Sequence, residues 1–162
     1  MPLSERLRSF LESHQVVHSV TVHPRAYTAR EVAATEHLPA RELAKTVVLS
    51  SDGEYLMVVI PASKVVDLPE ARLTLGANQV RLATEDELGK LFPDCELGAM
   101  PPFGTLYHMQ VFLDSSLTGE EHIAFNAGTH REVLHMKTAD FRNLVQPTVV
   151  SLVREPMIAH GR

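Results

Sequence analysis

The chain has few of the residues that form disulfides and no long apolar segment of the kind that spans a membrane. It has one cysteine, Cys95, and no tryptophan among its 162 residues. A single thiol cannot form an internal disulfide, and such scarcity is typical of a reducing compartment. No apolar run reaches the length of about 18 residues that crosses a bilayer, and the N terminus shows no secretory pattern. We therefore expect a soluble cytoplasmic protein with no membrane partner.

Positive charge is also scarce. Lys and Arg number 15 against 20 Asp and Glu, which gives a net charge of −5 with His neutral. Proteins that bind long stretches of nucleic acid usually carry a basic excess, because neutralised phosphates supply most of the affinity. Any contact with nucleic acid must therefore be small and local, or be assisted by a partner.

Several well-known catalytic motifs are missing. There is no Gly-Lys-Ser/Thr phosphate loop, no Gly-x-Gly-x-x-Gly fingerprint and no Gly-x-Ser-x-Gly elbow. Cys95 lies in a predicted loop without basic neighbours in sequence, so we do not expect a nucleophile there. The nine histidines suggest a metal site, but no His-x-x-x-His pair lies on a predicted helix and no cysteines are paired. We expect no metal and no other cofactor.

The residues that are present indicate one domain with mixed elements. A hydrophobic content of 44% over this length suits a single core, and we assign residues 1–154 to the domain and 155–162 to a C-terminal tail. Repeated hairpins among the strands argue against a regular βαβ alternation and predict an α+β fold with a curved, mixed sheet. Helices are predicted over residues 1–14, 28–36, 68–75, 84–92 and 138–145, and strands over 18–23, 45–50, 54–60, 79–83, 107–113, 122–126, 131–135 and 148–153.

Local signals support several of these boundaries. Asp52-Gly53 between two apolar runs is a strong hairpin signal, because both residue types tolerate positive φ. The segments Thr28–Glu31 and Thr84–Glu87 have the form of capping boxes. Gly76 is typical of a helix C-terminal stop. Ser4 suits the N-cap of the first helix.

Three further features invite a chemical interpretation beside a structural one. Lys45-Thr46 opens an apolar strand, where the ammonium could reach into water or hold a phosphate or carbonyl oxygen. The loop from Glu96 to Gly104 contains two glycines and Pro101-Pro102, with Phe103 at its predicted tip. That loop is either a rigid connection or a pocket wall that a ligand approaches closely.

The third feature is the turn that follows the strand ending at Asn126. Gly128 suits an ordinary hairpin turn. The side chains of Asn126, Thr129 and His130, with free backbone amides, would equally suit an oxyanion or water-holding site. Neither interpretation is excluded by the residues alone.

Taken in order, these features resemble the YbaK/prolyl-tRNA synthetase-associated domain, a family of trans-editing aminoacyl-tRNA deacylases. The resemblance runs from the first helix to about Val153. It is carried by His23-Pro24, Thr28 with Val32-Ala33, Ala44-Lys45-Thr46, Gly76-Ala77, Ala83 with Glu87-Leu88, Gly98 through Gly104, Asp114 with Leu117, and Asn126 through His130.

The resemblance implies a single α+β domain whose curved, partly barrel-like mixed sheet is wrapped by helices. It also implies a small free-standing hydrolase that cleaves the ester of mischarged aminoacyl-tRNA carrying a small amino acid. Neither metal nor covalent intermediate is then required, since positioned water and oxyanion stabilisation suffice for an activated ester. The implied catalytic residues are Lys45, Gly128, Thr129 and His130, and the implied substrate-binding residues are His23, Thr46, Gly98, Pro102, Phe103, Gly104 and Asn126.

The expected partner is the acceptor end of an aminoacyl-tRNA, with an aminoacyl-tRNA synthetase as a second candidate. Because only the tRNA end must enter, a local basic rim of Arg25, Arg30, Lys45 and Lys64 is compatible with the acidic net charge. We expect a monomer. The alternatives are a non-catalytic tRNA- or synthetase-binding module of the same fold and a His-ligated metal hydrolase.

Overall fold

The computed structural model describes residues 5–22 and 40–157. Within them lie four α-helices and ten strands. The helices are α1 (Glu5–Ser13), α2 (Leu68–Leu75), α3 (Glu85–Leu91) and α4 (Thr138–Val145). The strands are β1 (His18–Val22), β2 (Ala44–Ser51), β3 (Glu54–Pro61), β4 (Val65–Val66), β5 (Val80–Leu82), β6 (Gln110–Asp114), β7 (His122–Asn126), β8 (Glu132–Lys137), β9 (Thr148–Val150) and β10 (Val153–Arg154).

The larger sheet is built around the hairpin of β2 and β3. These strands pair antiparallel from Ala44 opposite Pro61 to Ser51 opposite Glu54. Asp52 and Gly53 join them with φ values of 50° and 90°, which is the positive-φ pair of a tight hairpin turn. The sheet order is β5-β2-β3-β6-β9, and it is mixed because β3, β6 and β9 run parallel.

A second, antiparallel sheet has the order β1-β8-β7. It approaches the larger sheet where Leu43, directly before β2, forms an isolated parallel bridge with Ala124 of β7. The start of β2 and the end of β7 therefore run side by side. Strands β10 and β4 form a third, two-stranded sheet.

The two faces of the larger sheet bury different clusters. One contains Ala44 and Val48 of β2, together with Phe103, Phe125 and Phe141, whose rings meet edge-on or tilted at centroid distances of 5.6 to 5.8 Å. The other contains Leu49 of β2 with residues of β3, α2 and the C-terminal strands. Alternate residues of β2 therefore face different cores, as the pleat of a strand requires.

The predicted C-terminal stop at Gly76 and the predicted capping box at Thr84–Glu87 are both present, and Asp67 adds an N-cap that the sequence analysis did not predict. The Asp67 side chain accepts a hydrogen bond from the Glu70 amide, and Gly76 ends α2 in the left-handed region with φ of 65°. Thr84 and Glu87 form a reciprocal capping box on α3. The predicted capping box at Thr28–Glu31, its helix and the N-cap at Ser4 lie outside the described residues.

The predicted α+β class is confirmed, and three details differ. None of the three sheets of the described residues closes on itself, so the partly barrel-like expectation is not met. The strand predicted from Tyr107 begins instead at Gln110, because Gly104–Tyr107 forms a 3-10 helix that His108 ends with φ of 58°. The strand predicted over residues 148–153 is interrupted between β9 and β10. No helix in the described part of the chain is long and apolar enough to span a membrane.

The domain boundary predicted after residue 154 stays a prediction. The last strand, β10, ends at Arg154, and residues 155–157 follow it without regular structure.

Gly104 provides a test of the packing around the loop that leads into β6. A β-carbon there would lie 2.2 Å from the Met109 carbonyl oxygen and 2.5 Å from Val111 Cγ2. Gly104→Ala must displace backbone, so we expect it to lower the free energy of unfolding by about 2–3 kcal/mol. Urea unfolding followed by circular dichroism measures this loss.

Gly119→Ala is the matched control, because nothing lies within 4 Å of its β-carbon position. We expect it to change stability by no more than about 0.5 kcal/mol. Equal effects of the two substitutions would contradict the close approach at Gly104.

Candidate active site

Lys45 is a predicted site residue whose charged group is partly buried. It lies on β2 opposite Ile60 of β3 and is half-buried. Within residues 5–22 and 40–157, its ammonium has neither a hydrogen-bond nor an ion-pair partner. Burial lowers the pKa of Lys45 below its usual value of 10.5, because desolvation disfavours the charged form. A desolvated cation without a partner is suited to binding an anion or a polarised oxygen.

Asn126 lies on the neighbouring strand. In the parallel bridge, Leu43 and Ala124 stand side by side. Two residues further along each strand come Lys45 and Asn126, and a two-residue step returns a side chain to the same face. Asn126 Oδ1 is buried and has no hydrogen-bond partner among the described residues. A donor and an acceptor, both without partners among the described residues, thus share one face where the two sheets meet.

Thr46 lies on the opposite face of β2 from Lys45. Its strand neighbours Ala44 and Val48 belong to the aromatic core cluster, and its hydroxyl oxygen is buried without a partner in the described part of the chain. Lys45 and Thr46 therefore do not line one surface, although they adjoin in sequence. The assignment of Thr46 to substrate binding stays a prediction.

The loop before Gly98 and the turn after Asn126 are held together by hydrogen bonds. The Glu96 amide donates to the Gly128 carbonyl at 2.8 Å, and the Gly128 amide donates to the Ala99 carbonyl at 2.8 Å. The His130 amide donates to Glu96 Oε1, also at 2.8 Å. The structure thus brings together Gly98, Gly128, Thr129 and His130, which the sequence places 30 residues apart.

These hydrogen bonds occupy backbone amides of the turn that could otherwise have bound an oxyanion. The sequence suggests free amides for an oxyanion, but the amides of Gly128 and His130 are already donated. Thr129 is buried, and its hydroxyl donates to Glu132 Oε2 at 3.1 Å while accepting from the Arg131 amide. Because a hydroxyl has one proton, Thr129 cannot also donate to a substrate. These groups shape the turn rather than offer donors.

The His130 ring has a defined tautomer. Its Nε2 lies 2.6 Å from the Leu97 carbonyl oxygen. A carbonyl can only accept, so Nε2 carries the proton and donates it. The ring also packs against Gly98, where a β-carbon would stand 3.5 Å from Cε1. The Nε2 proton is therefore committed to the loop and is not available to protonate a leaving group.

The remainder of the glycine- and proline-containing loop turns inward. Gly98 is exposed, whereas Pro102, Phe103 and Gly104 are buried. Phe103, predicted at the tip of the loop, instead points into the core, where its ring contacts Phe125 and Phe141. Only the first part of this loop faces solvent beside His130.

The structure describes Lys64 of the predicted basic rim but not Arg25 or Arg30. Lys64 forms an ion pair with Glu155, so its charge is partly neutralised by the C-terminal segment. Arg25, Arg30 and His23 lie outside the described residues. The rim as a whole stays a prediction.

Other polar features lie away from Lys45. A cavity of about 500 Å³ is bordered by Asp52, Arg72 and Arg81, at the hairpin end of β2 rather than at the Lys45 end. Within the described ranges, no three His, Cys, Asp or Glu side chains come together as a metal-binding group.

Two carboxylates at the turn were missed from the sequence. Glu96 and Glu132 hold His130 and Thr129, respectively. The spacing of Thr129 and Glu132, three residues apart, was a local signal that could have been used. The role of Glu96 depends on a contact across 34 positions, for which no local signal exists.

Residues 23–144 match the family model of the aminoacyl-tRNA editing domain. The chain belongs to the aminoacyl-tRNA editing domain family. The family predicted from the ordered motifs is therefore confirmed, as is the prediction of an aminoacyl-tRNA deacylase.

Sequence relatives agree with membership in the editing family. The multifunctional Ser/Thr-tRNA deacylase ProXp-y of Escherichia coli K12 is 26% identical over 155 residues, covering 93% of this chain and 92% of the relative. The proline–tRNA ligase of Staphylococcus saprophyticus is 27% identical over 120 residues, covering 72% of this chain but 20% of the ligase.

Two crystal structures share the fold. One, of a candidate trans-editing enzyme for prolyl-tRNA synthetase, has a TM-score of 0.82 at 23% identity and covers 94% of this chain and 99% of that one. The other, of a hypothetical protein, has a TM-score of 0.84 at 19% identity and covers 93% of this chain and all of that one, 100%. At these identities the likeness shows the fold alone.

Lys45 allows a stability test of the site. Lys45 is half-buried and its ammonium has no partner among the described residues, so replacing it with an apolar side chain of similar length should be favourable. We expect Lys45→Met to raise the free energy of unfolding by about 1 kcal/mol at neutral pH. Thermal and urea unfolding measure this gain.

The sign of the pH dependence follows from the lowered pKa. The unfolded chain holds the Lys45 proton more tightly, so the destabilisation is complete below the folded-state pKa and disappears as pH approaches 10.5. The gain of Lys45→Met should shrink over that range. The exposed Lys90 is the control, and an equal gain from Lys90→Met would contradict the interpretation.

Cys95 packs behind the turn and gives a chemical test. Its Sγ lies 3.9 Å from the β-carbon position of Gly128 and 3.4 Å from the Tyr107 hydroxyl. Burial raises the pKa of Cys95 to about 12, so the reactive thiolate is rare at neutral pH. We expect alkylation of the native protein at pH 8 to be at least about 100-fold slower than alkylation of the urea-unfolded protein. Similar rates in the two states would contradict this burial.

Proposed function

We propose that this chain hydrolyses the ester bond of mischarged tRNA that carries serine or threonine, with Lys45 and Asn126 binding the aminoacyl end. The observation that carries the proposal is the Lys45 ammonium, half-buried without a partner in the described part of the chain, beside the unsatisfied Asn126 oxygen. The full-length similarity to a Ser/Thr-tRNA deacylase supports the choice of amino acids.

Lys45 has the chemistry to bind the ester or the terminal phosphate. An ammonium hydrogen bond to a carbonyl oxygen strengthens as negative charge develops on that oxygen during attack. Its partial desolvation increases the effect, because charges interact more strongly away from bulk water. Within the described part of the chain, Lys45 has no ion pair that substrate binding would have to break.

Asn126 has the complementary chemistry. Its side-chain oxygen can accept from the substrate's α-ammonium group or from the hydroxyl of serine or threonine. A buried acceptor left unsatisfied costs free energy, which a suitable donor on the substrate would recover. A site that hydrogen-bonds a hydroxyl discriminates against analogues that lack it, so alanine should be a poorer substrate.

The reaction needs only water beyond the groups of the aminoacyl-tRNA itself. Water adds to the ester carbonyl carbon, the bond from that carbon to the ribose oxygen breaks, and the ribose oxygen takes up the proton. The products are the free amino acid and tRNA with its terminal hydroxyl restored. The adjacent ribose hydroxyl can position the water, and no covalent enzyme intermediate is required.

Gly128, Thr129 and His130 then form the wall beside the reacting ester, with Gly98 across from them. Their donors are used within the protein, so their contribution is shape. Thr46, Pro102, Phe103 and Gly104 support that wall from the core side. His23 remains proposed as a substrate contact.

The remaining expectations belong to the same proposal. Only the acceptor end of tRNA enters the site, and Arg25, Arg30 and Lys64 contact its phosphates. The similarity to segments of proline–tRNA ligases supports a synthetase as a second partner. We propose that the chain acts as a monomer in the cytoplasm, where charged tRNA is found.

Deacylation assays test the proposal directly. Seryl- and threonyl-tRNA, prepared on a non-cognate tRNA, should be hydrolysed faster than alanyl-, cysteinyl- or prolyl-tRNA. Lys45→Ala should lower kcat/KM at least about 100-fold, because it removes a charged donor to the developing oxyanion. Release of labelled amino acid measures both effects.

Lys90→Ala is the matched control, since Lys90 is exposed on α3, and it should retain wild-type rates. Binding of tRNA without hydrolysis of any species would favour the non-catalytic module. Loss of activity on chelation, restored by added metal, would favour the metal hydrolase.

A further inference from the structure

Glu96 connects the two segments that form the wall of the site. Its amide donates to the Gly128 carbonyl at 2.8 Å, and its carboxylate Oε1 accepts from the His130 amide at 2.8 Å. One residue thus binds the turn at two positions, two residues apart. Glu96 is not among the residues that the family motifs single out in this sequence.

The residues that follow Glu96 orient the His130 ring. The Leu97 carbonyl accepts the Nε2 proton at 2.6 Å, and the ring lies against Gly98. The His130 backbone and side chain are therefore both held by three consecutive residues, Glu96 to Gly98. A change at the carboxylate alters the backbone position from which the ring extends.

We propose that Glu96 is a positioning residue of the deacylase, which fixes the His130 turn so that it faces Asn126 and Lys45 correctly. The inference rests on the proposed function for its effect on rate. Its structural part, the hydrogen bond from the Glu96 carboxylate to the turn, can be tested without activity.

The chemistry of this bond explains why a carboxylate stands at position 96. His130 is buried, so its amide must be paired within the protein. A carboxylate gives a charge-assisted bond, which is stronger than one between neutral groups. When Oε1 is removed, the His130 amide loses this acceptor, and the turn loses its hydrogen bond to the Glu96 side chain. The backbone hydrogen bond from the Gly128 amide to the Ala99 carbonyl remains.

The geometry predicts which substitutions will be tolerated. Glu96→Gln keeps an acceptor oxygen at the same distance from the backbone, so the bond to the His130 amide can persist. Glu96→Ala keeps the backbone bond to Gly128 but deletes the acceptor. The two variants therefore separate the effect of the hydrogen bond from the effect of charge and from the main-chain contact.

Steady-state kinetics with seryl- or threonyl-tRNA provide the first measurement. We expect Glu96→Ala to lower kcat by about 10- to 100-fold, because small displacements of a positioned site are costly, with KM changed less than about threefold. Glu96→Gln should stay within about threefold of wild type in both constants. Glu54→Ala is the control, since Glu54 is exposed at the hairpin end of β3, and it should not alter either constant.

Nitrogen-15 NMR of the histidine rings provides a measurement independent of activity, with the His130 signals assigned from His130→Gln. Wild type and Glu96→Gln should show the Nε2-protonated tautomer of His130, protected from solvent exchange. Glu96→Ala should lose that protection, while its circular dichroism spectrum remains native.

The outcomes separate the two proposals. Loss of kcat and of ring protection in Glu96→Ala, both restored in Glu96→Gln, would support the positioning role. An unchanged ring signal and an unchanged kcat in Glu96→Ala would overturn it, as would a Glu96→Gln variant as impaired as Glu96→Ala. If wild type hydrolyses no aminoacyl-tRNA, the proposed function fails, and the NMR comparison alone decides whether Glu96 holds the turn.

Discussion

The antiparallel pairing of β2 with β3 is the interaction on which the rest of the structure depends. Each strand contributes alternate residues to two separate cores, so this hairpin is the layer that both cores share. Strand β6 extends it on one side and β5 on the other. The same strand that organises the packing also carries Lys45 at the end opposite the turn.

The site arises where this hairpin meets the smaller sheet. A short parallel contact at Leu43 and Ala124 is enough to set Lys45 beside Asn126, because both strands continue in the same direction. The turn after Asn126 then needs only a few hydrogen bonds from the residue 96–99 segment to become rigid. In the proposed site, walls held in this way and one desolvated charge would suffice, because the substrate is already an activated ester.

Local signals predicted those parts of the fold that are decided by near neighbours. Asp52-Gly53, Gly76 and the Thr84–Glu87 capping box each act within four residues, and the structure confirms each. The predicted start of β6 was wrong, because a 3-10 helix precedes the strand and ends at His108. His108 adopts a left-handed conformation there, which a histidine in the sequence does not signal. Phe103 was misplaced for a related reason, as the aromatic rings that bury it come from β7 and α4.

The site was only partly predictable for the same reason. The chemical types at Lys45, Asn126 and His130 were recognisable, and their order along the chain identified the family. Which protons are already used could not be inferred, because the Glu96 carboxylate and the Leu97 carbonyl approach the turn from more than 30 residues away. Because the Gly128 and His130 amides and the Thr129 hydroxyl already donate within the protein, the role proposed for this turn is to shape the site.

The alternation along β2 has a consequence for how such a domain can diversify. Lys45 and Thr46 lie on opposite faces of β2, and each face packs against its own core, so inserting or deleting one residue in this strand would turn the ammonium toward the aromatic core and exchange residues between the two cores. Length changes in β2 therefore disturb both cores and the position of Lys45 together. New substrate preferences must instead arise from point substitutions on the strand or from the loops around it, which can change length without shifting its register.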